Sequence, residues 1–316
     1  MKKTATKITL YLAPMRGLTE APYRNIFNRY FGGIDLAIAP FITTVKGDSI
    51  ASRHIRDVLP ENNHSMPLVP QLLSKDTEGF ICLANKMYDL GYDEINWNLG
   101  CPYPMVAKKM RGSGLLPHPE EIDKFLDTVL SKIPNRLSIK TRLGRFHVDE
   151  IFSVMPVFNQ YPLSLLIIHP RTGKQMYDGR PDIDRFNDCL SLTNHSIVYN
   201  GDIKTLSDFQ ILTQKFPTIN KWMIGRGILA NPFLAETIKN GNVFQVDLQK
   251  IKGFHNELYD QYQSKLCGPG HVLGKMKGHW KYLSKSFTNS KKLLKKIQRS
   301  SNIKHYEDIV NEAFLF

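Results

Sequence analysis

One of the four cysteines, Cys101, stands in a sequence context that suggests a role in a reaction. It follows a predicted strand within a Gly-Cys-Pro turn and begins a loop that contains Gly112, Ser113 and Gly114. A thiol with a reference pKa of about 8.5 is mostly protonated at neutral pH, so Cys101 is suited to give a proton rather than to attack as a thiolate. No histidine is near it in sequence, although the distant His169 could approach it in space.

The other three cysteines have a plainer interpretation. Cys82 and Cys189 stand in helix-like or apolar segments, where a lone cysteine is usually a small buried hydrophobe. Cys267 is expected at the surface or in a loop. The chain has no CxxC pair and no zinc-finger spacing of cysteine and histidine, so we expect free thiols and no metal site.

Two further polar side chains, Lys140 and His169, stand at the ends of predicted strands. An ammonium group held inside a barrel mouth needs an anionic partner, and either the anionic edge of a flavin or a buried carboxylate would provide one. His169 could donate a hydrogen bond to a phosphate or to a flavin carbonyl. The alternative for His169 is a capping or core histidine.

Glycine stands next to a polar residue in the turns after the last two predicted strands, Asn200-Gly201-Asp202 and Gly225-Arg226-Gly227. Glycine lets backbone N–H groups approach an anion closely, and Arg226 can fork onto phosphate oxygens. These two loops form the usual phosphate site of an α/β barrel, although glycine-rich turns also close many strands without binding anything. We predict a phosphate site here.

Short apolar segments, separated by segments of helix length, must position these residues. The pattern predicts βα units around a parallel sheet, and its length of roughly 240 residues is typical of an α/β fold of the (β/α)8 TIM-barrel type. An open doubly wound sheet is the alternative, but no GxGxxG follows the first strand to support it. The predicted strands are Ile8 to Ala13, Leu36 to Ala39, Leu68 to Leu72, Glu94 to Asn98, Leu137 to Arg142, Leu165 to His169, Ser196 to Asn200 and Trp222 to Gly225.

The composition changes after about Asn242. From Lys250 to Phe316 the chain has 13 Lys+Arg against 5 Asp+Glu, which is +8 of a net +13. This excess favours a polyanionic partner, nucleic acid before an acidic membrane surface, whereas any single lysine is better explained by a solvated helix face. Residues 1–242 are predicted to form the barrel, and residues 243–316 a small basic all-α helical-bundle domain. Its predicted helices are Ile251 to Tyr262, Lys275 to Ser286, Lys291 to Gln298 and Tyr306 to Phe314, with a turn at Gly268 to Gly270.

The sequence predicts neither a signal peptide nor a spanning helix. The segment MKKTATKITLYLAP has only a five-residue apolar run broken by Thr9, and no stretch approaches the roughly 20 apolar residues of a spanning helix. We therefore expect a cytoplasmic protein with no membrane partner, and we expect a monomer.

Taken in order, the motifs at the strand ends resemble those of the flavin-dependent tRNA-dihydrouridine synthases. They are APM near the start, VPQL with Gln71, NxGCP from Asn98, the GSG loop, KTRLG from Lys140, HPRT with Gln175 and Tyr177 behind it, NGD from Asn200 and IGRG from Ile224. The resemblance covers essentially the whole chain. It implies a TIM barrel that binds FMN, is reduced by NADPH, and saturates the C5–C6 bond of particular uridines in tRNA. Hydride then passes from flavin N5 to uracil C6.

The resemblance also implies roles for individual residues. Cys101 protonates C5, Asn98 lies near the uracil, and Arg142 contacts the target nucleotide. The residues implied to surround the flavin ring are Pro14, Met15, Gln71, Lys140 and His169, and those implied to hold the ribityl phosphate end are Asn200, Gly201, Asp202, Gly225 and Arg226. From the excess charge of the C-terminal segment we add Lys275 and Lys277 as contacts to RNA.

The loop after Cys101 departs from the family pattern. The family often has a lysine just before the valine of this loop, where this chain has Met105, and Lys108 and Lys109 lie further on. Cys101, the proton donor, is unaffected by this difference. The resemblance does not determine which residues of the loop contact RNA.

Two other classes of function explain part of the pattern. An FMN-dependent barrel oxidoreductase acting on a small metabolite would explain the strand ends but not the basic C-terminal segment. A non-catalytic RNA-binding barrel would explain that segment but not Cys101 and Lys140. The motifs leave open which uridine is reduced, tRNA against ribosomal RNA, and NADPH against NADH.

Overall fold

The computed structural model describes residues 7–44, 51–243 and 245–315. Residues 1–6, which belong to the segment considered above as a leader, and Phe316, the last residue of the basic segment, lie outside these ranges. Within them, ten short strands form one parallel sheet. They are β1 (Thr9–Leu12), β2 (Leu36–Ile38), β3 (Ile42–Thr43), β4 (Leu68–Val69), β5 (Gln71–Leu73), β6 (Glu94–Leu99), β7 (Arg136–Gly144), β8 (Leu165–Thr172), β9 (Ile197–Tyr199) and β10 (Lys221–Ile224).

The sheet closes into a barrel at β4 and β5. β4 pairs with β2, β5 pairs with β6, and only Pro70 stands between the two strands. β2 and β3 are likewise separated by a short segment that contains Pro40. Because proline has no N–H to donate to a ladder, it interrupts a strand without ending its path. The ten segments therefore correspond to the eight predicted strands, and the predicted α/β barrel is confirmed.

Helices follow the strands and cover the barrel. They are α1 (Ala21–Tyr30), α2 (Ser52–Ile55), α3 (Thr77–Asp89), α4 (Pro104–Ala107), α5 (Pro119–Leu130), α6 (Glu150–Phe158), α7 (Ile183–Ser191), α8 (Leu206–Lys215), α9 (Arg226–Ala230) and α10 (Leu234–Asn240). The C-terminal segment forms α11 (Leu248–Lys265), α12 (Pro269–Leu283), α13 (Ser290–Arg299) and α14 (Ile303–Ala313). Short 3-10 turns occupy Arg56–Val58, Pro60–Asn62, Gly112–Leu115 and Ser284–Ser286.

Side-chain caps set several helix starts. The Asp76 carboxylate accepts a hydrogen bond from the Gly79 amide at the start of α3. Thr205 and Asp208 form a reciprocal capping box at the start of α8. Each cap satisfies an N–H group that has no acceptor inside the helix.

Side chains of β1 alternate between two apolar layers, as the two-residue period of a strand requires. Tyr11 belongs with Ile167 and Val198 to a small cluster in the barrel interior. Leu10 and Leu12 belong to the large cluster beneath the surrounding helices. Because side chains fill the interior, a ligand is expected at the carboxyl ends of the strands.

The four C-terminal helices pack on the outside of the barrel. The ring of Tyr23 in α1 stacks on His279 of α12 with centroids 5.5 Å apart, and Phe254 of α11 meets Tyr23 edge-on at 5.6 Å. These helices share one continuous apolar core with the barrel exterior. The all-α prediction is confirmed for this segment, while the domain boundary at residue 242 stays a prediction.

The predicted turn at Gly268 to Gly270 is partly wrong. Pro269 and Gly270 already belong to the first turn of α12, and only Gly268 lies before the helix. Proline is favoured at the first helical position because its missing N–H would have no acceptor there.

Candidate functional site

A polar cavity opens at the carboxyl ends of the barrel strands. It is lined by all ten residues predicted to hold the cofactor, which are Pro14, Met15, Gln71, Lys140, His169, Asn200, Gly201, Asp202, Gly225 and Arg226. Cys101, Asn98 and Arg142 line the same cavity. Closure of the barrel thus brings together residues that are far apart in sequence.

Asn98 positions the turn that carries Cys101. Its side-chain oxygen accepts hydrogen bonds from the Gly100 amide at 3.0 Å and the Cys101 amide at 2.8 Å. Its amide nitrogen donates to Gln71 Oε1 at 2.7 Å, and Gln71 Nε2 donates to Asn96 Oδ1 at 2.8 Å. Asn98 and Gln71 are therefore held in fixed orientations by a buried polar network.

The GSG loop fixes Cys101 from its other side. The backbone N–H and hydroxyl of Ser113 both donate to the Cys101 carbonyl, at 3.1 and 3.0 Å. The Cys101 side chain is only 7% exposed. Burial raises the pKa of the thiol, and this outweighs the opposite effects of the Tyr103 amide and of the Arg142, Arg16 and Lys140 charges. The thiol is therefore protonated at neutral pH, as a proton donor requires.

Lys140 places an unpaired ammonium group at the cavity floor. In the described part of the chain it forms no ion pair or hydrogen bond, and its Nζ is not among the unpaired atoms that are sealed from solvent. Burial, followed by repulsion from Arg142, lowers the pKa of Lys140 to about 7. The predicted alternative, a buried carboxylate partner, is absent among the described residues, so the site favours an anionic ligand.

Arg142 is largely committed to the protein. Its Nε donates to the Gly100 carbonyl at 2.9 Å, and Nη1 donates to the carbonyls of Thr172 and Met176 at 2.8 and 2.6 Å. The guanidinium lies 5.4 Å from the ring centroid of Tyr177. These contacts fix the two loops that flank the cavity and leave Nη2 without a partner among the described residues.

Asp202 is surrounded by cations. Arg171 donates to both of its oxygens, at 3.1 and 2.9 Å, and Arg226 Nη2 lies 2.5 Å from Oδ1. Burial acts to raise the pKa of Asp202, but the hydrogen bond from Arg171 and the charges of Arg171, Arg226 and Lys204 lower it overall. Asp202 is therefore ionised and orients Arg226. This role differs from direct contact with a phosphate.

In the turns after β9 and β10, the backbone N–H groups of Gly201, Asp202 and Gly225 have no acceptor among the described residues. A side chain at Gly201 would place its Cβ 2.0 Å from the Tyr199 hydroxyl, so only glycine fits there. α9 begins at Arg226, and the first N–H groups of a helix have no acceptor within it. Arg226 lines the cavity beside these N–H groups, and the phosphate site stays a prediction.

Aromatic side chains form a rim around the cavity. The guanidinium groups of Arg142 and Arg226 lie 5.4 and 4.9 Å from the ring centroid of Tyr177. Tyr103, Tyr282 and Phe41 also line the cavity. Tyr282 comes from α12, so the C-terminal helices contribute to the site. Neither Tyr282 nor Phe41 was predicted from the sequence to lie here. Position after a strand end could have suggested Phe41, but no local signal marks Tyr282.

Lys275 and Lys277, predicted as RNA contacts, do not line the cavity. The Lys275 ammonium pairs with Glu20 and donates to the Gly17 carbonyl at 3.2 Å. Lys277 donates to the carbonyls of Gln298 and Ser300 at 3.1 and 2.6 Å. Both ammonium groups have partners within the protein, which favours a packing role for them.

The model of the dihydrouridine synthase family, Dus, matches residues 11–314. The chain belongs to the dihydrouridine synthase family. It is 25% identical over 317 residues to the tRNA-dihydrouridine(16) synthase of Neisseria meningitidis serogroup B, covering 97% of this chain and 95% of that protein. It is 24% identical over 286 residues to tRNA-dihydrouridine synthase B of Vibrio vulnificus, covering 86% and 88%.

Solved structures share the fold of this family member at low sequence identity. The old yellow enzyme homologue from Zymomonas mobilis matches with a TM-score of 0.54 and 11% identity, covering 77% of this chain and 93% of that one. Histamine dehydrogenase from Rhizobium sp. matches with a TM-score of 0.55 and 10% identity, covering 78% and 46%. These matches agree with the barrel described above.

Among residues 7–44, 51–243 and 245–315, no helix is long and apolar enough to cross a membrane. The same ranges hold no cluster of three or more histidine, cysteine or carboxylate side chains that could bind a metal ion.

Proposed function

We propose that this protein reduces uridine in tRNA to 5,6-dihydrouridine with a bound FMN, using Cys101 as the proton donor. The observation that carries the proposal is that the protonated thiol of Cys101 and the unpaired ammonium of Lys140 open into one cavity. A proton donor beside an anion site suits addition of a hydride and a proton across a C=C bond.

The residues of the cavity fit FMN. Lys140 offers a positive charge to the electron-rich edge of an isoalloxazine ring, and the turns after β9 and β10 offer N–H groups and Arg226 to a phosphate. When bound, the reduced flavin supplies the hydride that adds to C6 of the uracil. NADPH is the proposed reductant, and it needs no permanent site because it visits the flavin only briefly.

Cys101 then delivers its proton to C5. Asn98 fixes the turn that holds the thiol, and the Ser113 hydrogen bonds prevent the Cys101 backbone from moving away. Arg142 anchors the neighbouring loop through its carbonyl contacts. We propose that these residues keep the thiol at one place relative to the flavin face.

The rim around the cavity suits a nucleotide that has been turned out of folded RNA. Tyr103, half exposed, and Tyr177 offer ring faces on which a base can stack. We place the phosphate-binding surface on α13, where Lys291, Lys292 and Lys295 are exposed. These contacts favour the synthase over an oxidoreductase of small metabolites, which has no use for such a surface.

We further propose that the target is position 16 of tRNA and that the enzyme acts as a cytoplasmic monomer. The matches to the relatives named for position 16 span 97% and 96% of this chain, including α11 to α14. Mapping dihydrouridine in RNA from cells with and without the protein tests this proposal. Loss of dihydrouridine from position 16 alone supports it. An unchanged tRNA map, or loss only from ribosomal RNA, contradicts it.

A further inference from the structure

The guanidinium of Arg171 is buried and pairs with Asp202. The side chain is fully buried, and each of its five N–H groups has an acceptor. Nη1 donates to His169 Nε2 at 3.0 Å and to Asp202 Oδ1 at 3.1 Å. Nη2 donates to Asp202 Oδ2 and the Gly179 carbonyl, and Nε donates to the Asp178 carbonyl. Arg171 therefore has no N–H left for a ligand.

The contact with His169 has a direct chemical consequence. A guanidinium group can donate hydrogen bonds but cannot accept them. Nε2 of His169 must therefore carry a lone pair toward Arg171, and the single proton of the neutral ring must sit on Nδ1. A protonated imidazolium would point an N–H directly at the N–H of Arg171.

Nδ1 of His169 is open to the cavity. It has no hydrogen-bond partner among the described residues. The side-chain nitrogen and oxygen atoms that are both sealed and unpaired in that part of the chain belong to Arg24, Arg111, Asn135 and Trp222. His169 is not among them, and it lines the cavity. The group presented to a ligand is therefore an N–H donor.

We propose that Arg171 is a positioning residue that holds His169 neutral with its proton on Nδ1, so that His169 offers a hydrogen-bond donor, and never an acceptor, to the bound ligand. The ligand atom next to it must then be an acceptor. On a flavin, which this last step takes from the proposed function, a carbonyl oxygen or an unprotonated ring nitrogen qualifies and the N3–H does not.

The charges around the ring support the same state. His169 faces Lys140 and Arg142 from β7, Arg171 from its own strand, and Arg226 from α9, with Asp202 as the nearby carboxylate and Tyr177 beside the ring. Burial, and then the Arg142, Lys140, Arg171 and Arg226 charges, lower the pKa of His169 well below its ordinary value. Burial and the positive charges on the surrounding elements therefore disfavour a second proton on the ring.

Nitrogen-15 NMR of the flavin-free protein tests the assignment directly. Long-range proton–nitrogen correlations distinguish the two neutral tautomers and the imidazolium, and the signal that is lost in His169→Gln identifies His169 among the ten histidines. We expect the Nδ1–H tautomer throughout pH 5 to 8. An Nε2–H tautomer, or an imidazolium in that range, would overturn the proposal.

Two variants separate the effect of the Arg171 hydrogen bond on the tautomer from the effect of the ion pair with Asp202. Arg171→Met removes the donor to Nε2, and we expect the ring to shift toward the Nε2–H tautomer. Asp202→Asn weakens the ion pair but keeps the donor, so it should retain Nδ1–H. An unchanged tautomer in folded Arg171→Met overturns the role of Arg171. If that variant does not fold, the wild-type and Asp202→Asn spectra still decide the tautomer.

FMN titration tests the ligand side separately. His169→Gln should weaken FMN binding about tenfold, the equivalent of one good hydrogen bond. If wild-type protein shows the Nδ1–H tautomer but binds no FMN, the proposed cofactor is wrong while the tautomer assignment stands. If FMN binds equally to both proteins, His169 makes no donor contact to it and the ligand step is overturned.

Discussion

Gly112 lies so close to Cys101 that no side chain fits between them. A Cβ at position 112 would stand 2.8 Å from both Cβ and the carbonyl oxygen of Cys101, and Gly112 has a φ of 56°. The next residue, Ser113, donates twice to that carbonyl. The GSG loop is thus the wall that holds the proton donor in place.

Gly112→Ala is therefore expected to lower uridine reduction more than it lowers stability. The added methyl group must displace Cys101, whereas FMN content depends on residues elsewhere in the cavity. Steady-state assays with tRNA and flavin absorbance measure the two effects. Gly91→Ala is the matched control, because Gly91 has a φ of 88° but open space around its Cβ position. It should lose about 1 kcal/mol of stability and keep full turnover. Equal losses of activity in both variants would contradict the role of the loop.

Cys101→Ala should keep its FMN and its reduction by NADPH while reducing uridine about 10² to 10⁴ times more slowly. The raised pKa of the thiol sets the pH dependence, because only the protonated form is active. Wild-type turnover should stay constant through neutral pH and fall as pH rises through that raised pKa. The controls are Cys82→Ala and Cys189→Ala, which leave the cavity intact. Equal rate losses at all three cysteines would show that folding, and not proton transfer, had been disturbed.

Lys140→Met should weaken FMN binding and stabilise the flavin-free protein. In the unfolded chain Lys140 is charged up to its ordinary pKa of 10.5, but in the native cavity its pKa is about 7. The native state therefore bears the full cost of the charge below pH 7, on the order of 5 kcal/mol, and this cost disappears as pH rises from 7 to 10.5.

Urea unfolding of flavin-free protein across this pH range checks the prediction for Lys140. The stabilisation by Lys140→Met should be largest at and below pH 7 and should decline toward pH 10. Lys124→Met is the control, since Lys124 is exposed and pairs only with Glu121 on the same helix. A difference that does not vary with pH would contradict an unpaired ammonium group in the cavity.

Replacement of Lys291, Lys292 and Lys295 by glutamate should weaken tRNA binding and flatten its salt dependence. Each lost phosphate contact lowers the slope of log affinity against log salt by roughly 0.7 to 0.9, because fewer counterions are released. Fluorescence anisotropy at several salt concentrations measures this slope. The control replaces Lys124, Lys132 and Arg136, which are exposed and include the amino-terminal end of β7, away from the cavity. Equal slopes in the two triple variants would place the RNA surface elsewhere.

The sequence was sufficient to predict the cavity residues at the strand ends, because a parallel barrel gathers its strand ends at one edge. Position at a strand end was enough to predict that Lys140, His169 and the turns after the last two strands line the cavity. Tyr282 could not be placed, since it reaches the cavity from a helix outside the barrel, and helix packing has no local signature.

Lys275, whose RNA contact stays a prediction, has a partner that the sequence did not indicate. Its sequence neighbours are basic, so composition favours an RNA contact, yet its partner Glu20 lies 255 residues away in the chain. Ion pairs between distant segments depend on how the C-terminal helices dock on α1, which local periodicity does not determine. The sequence likewise did not predict that Pro40 and Pro70 each divide a strand. A proline interrupts the backbone hydrogen bonds between strands without changing the path of the chain.

Anaerobic single turnover shows directly whether the reduced flavin and Cys101 together reduce uridine. Protein loaded with FMN and reduced with one equivalent of NADPH is mixed with unmodified tRNA, and flavin absorbance and dihydrouridine are followed together. We predict that wild-type flavin is reoxidised with one dihydrouridine formed per flavin, and that Cys101→Ala remains reduced on the same timescale. Wild-type flavin that stays reduced, or that is reoxidised without forming dihydrouridine, would contradict the account.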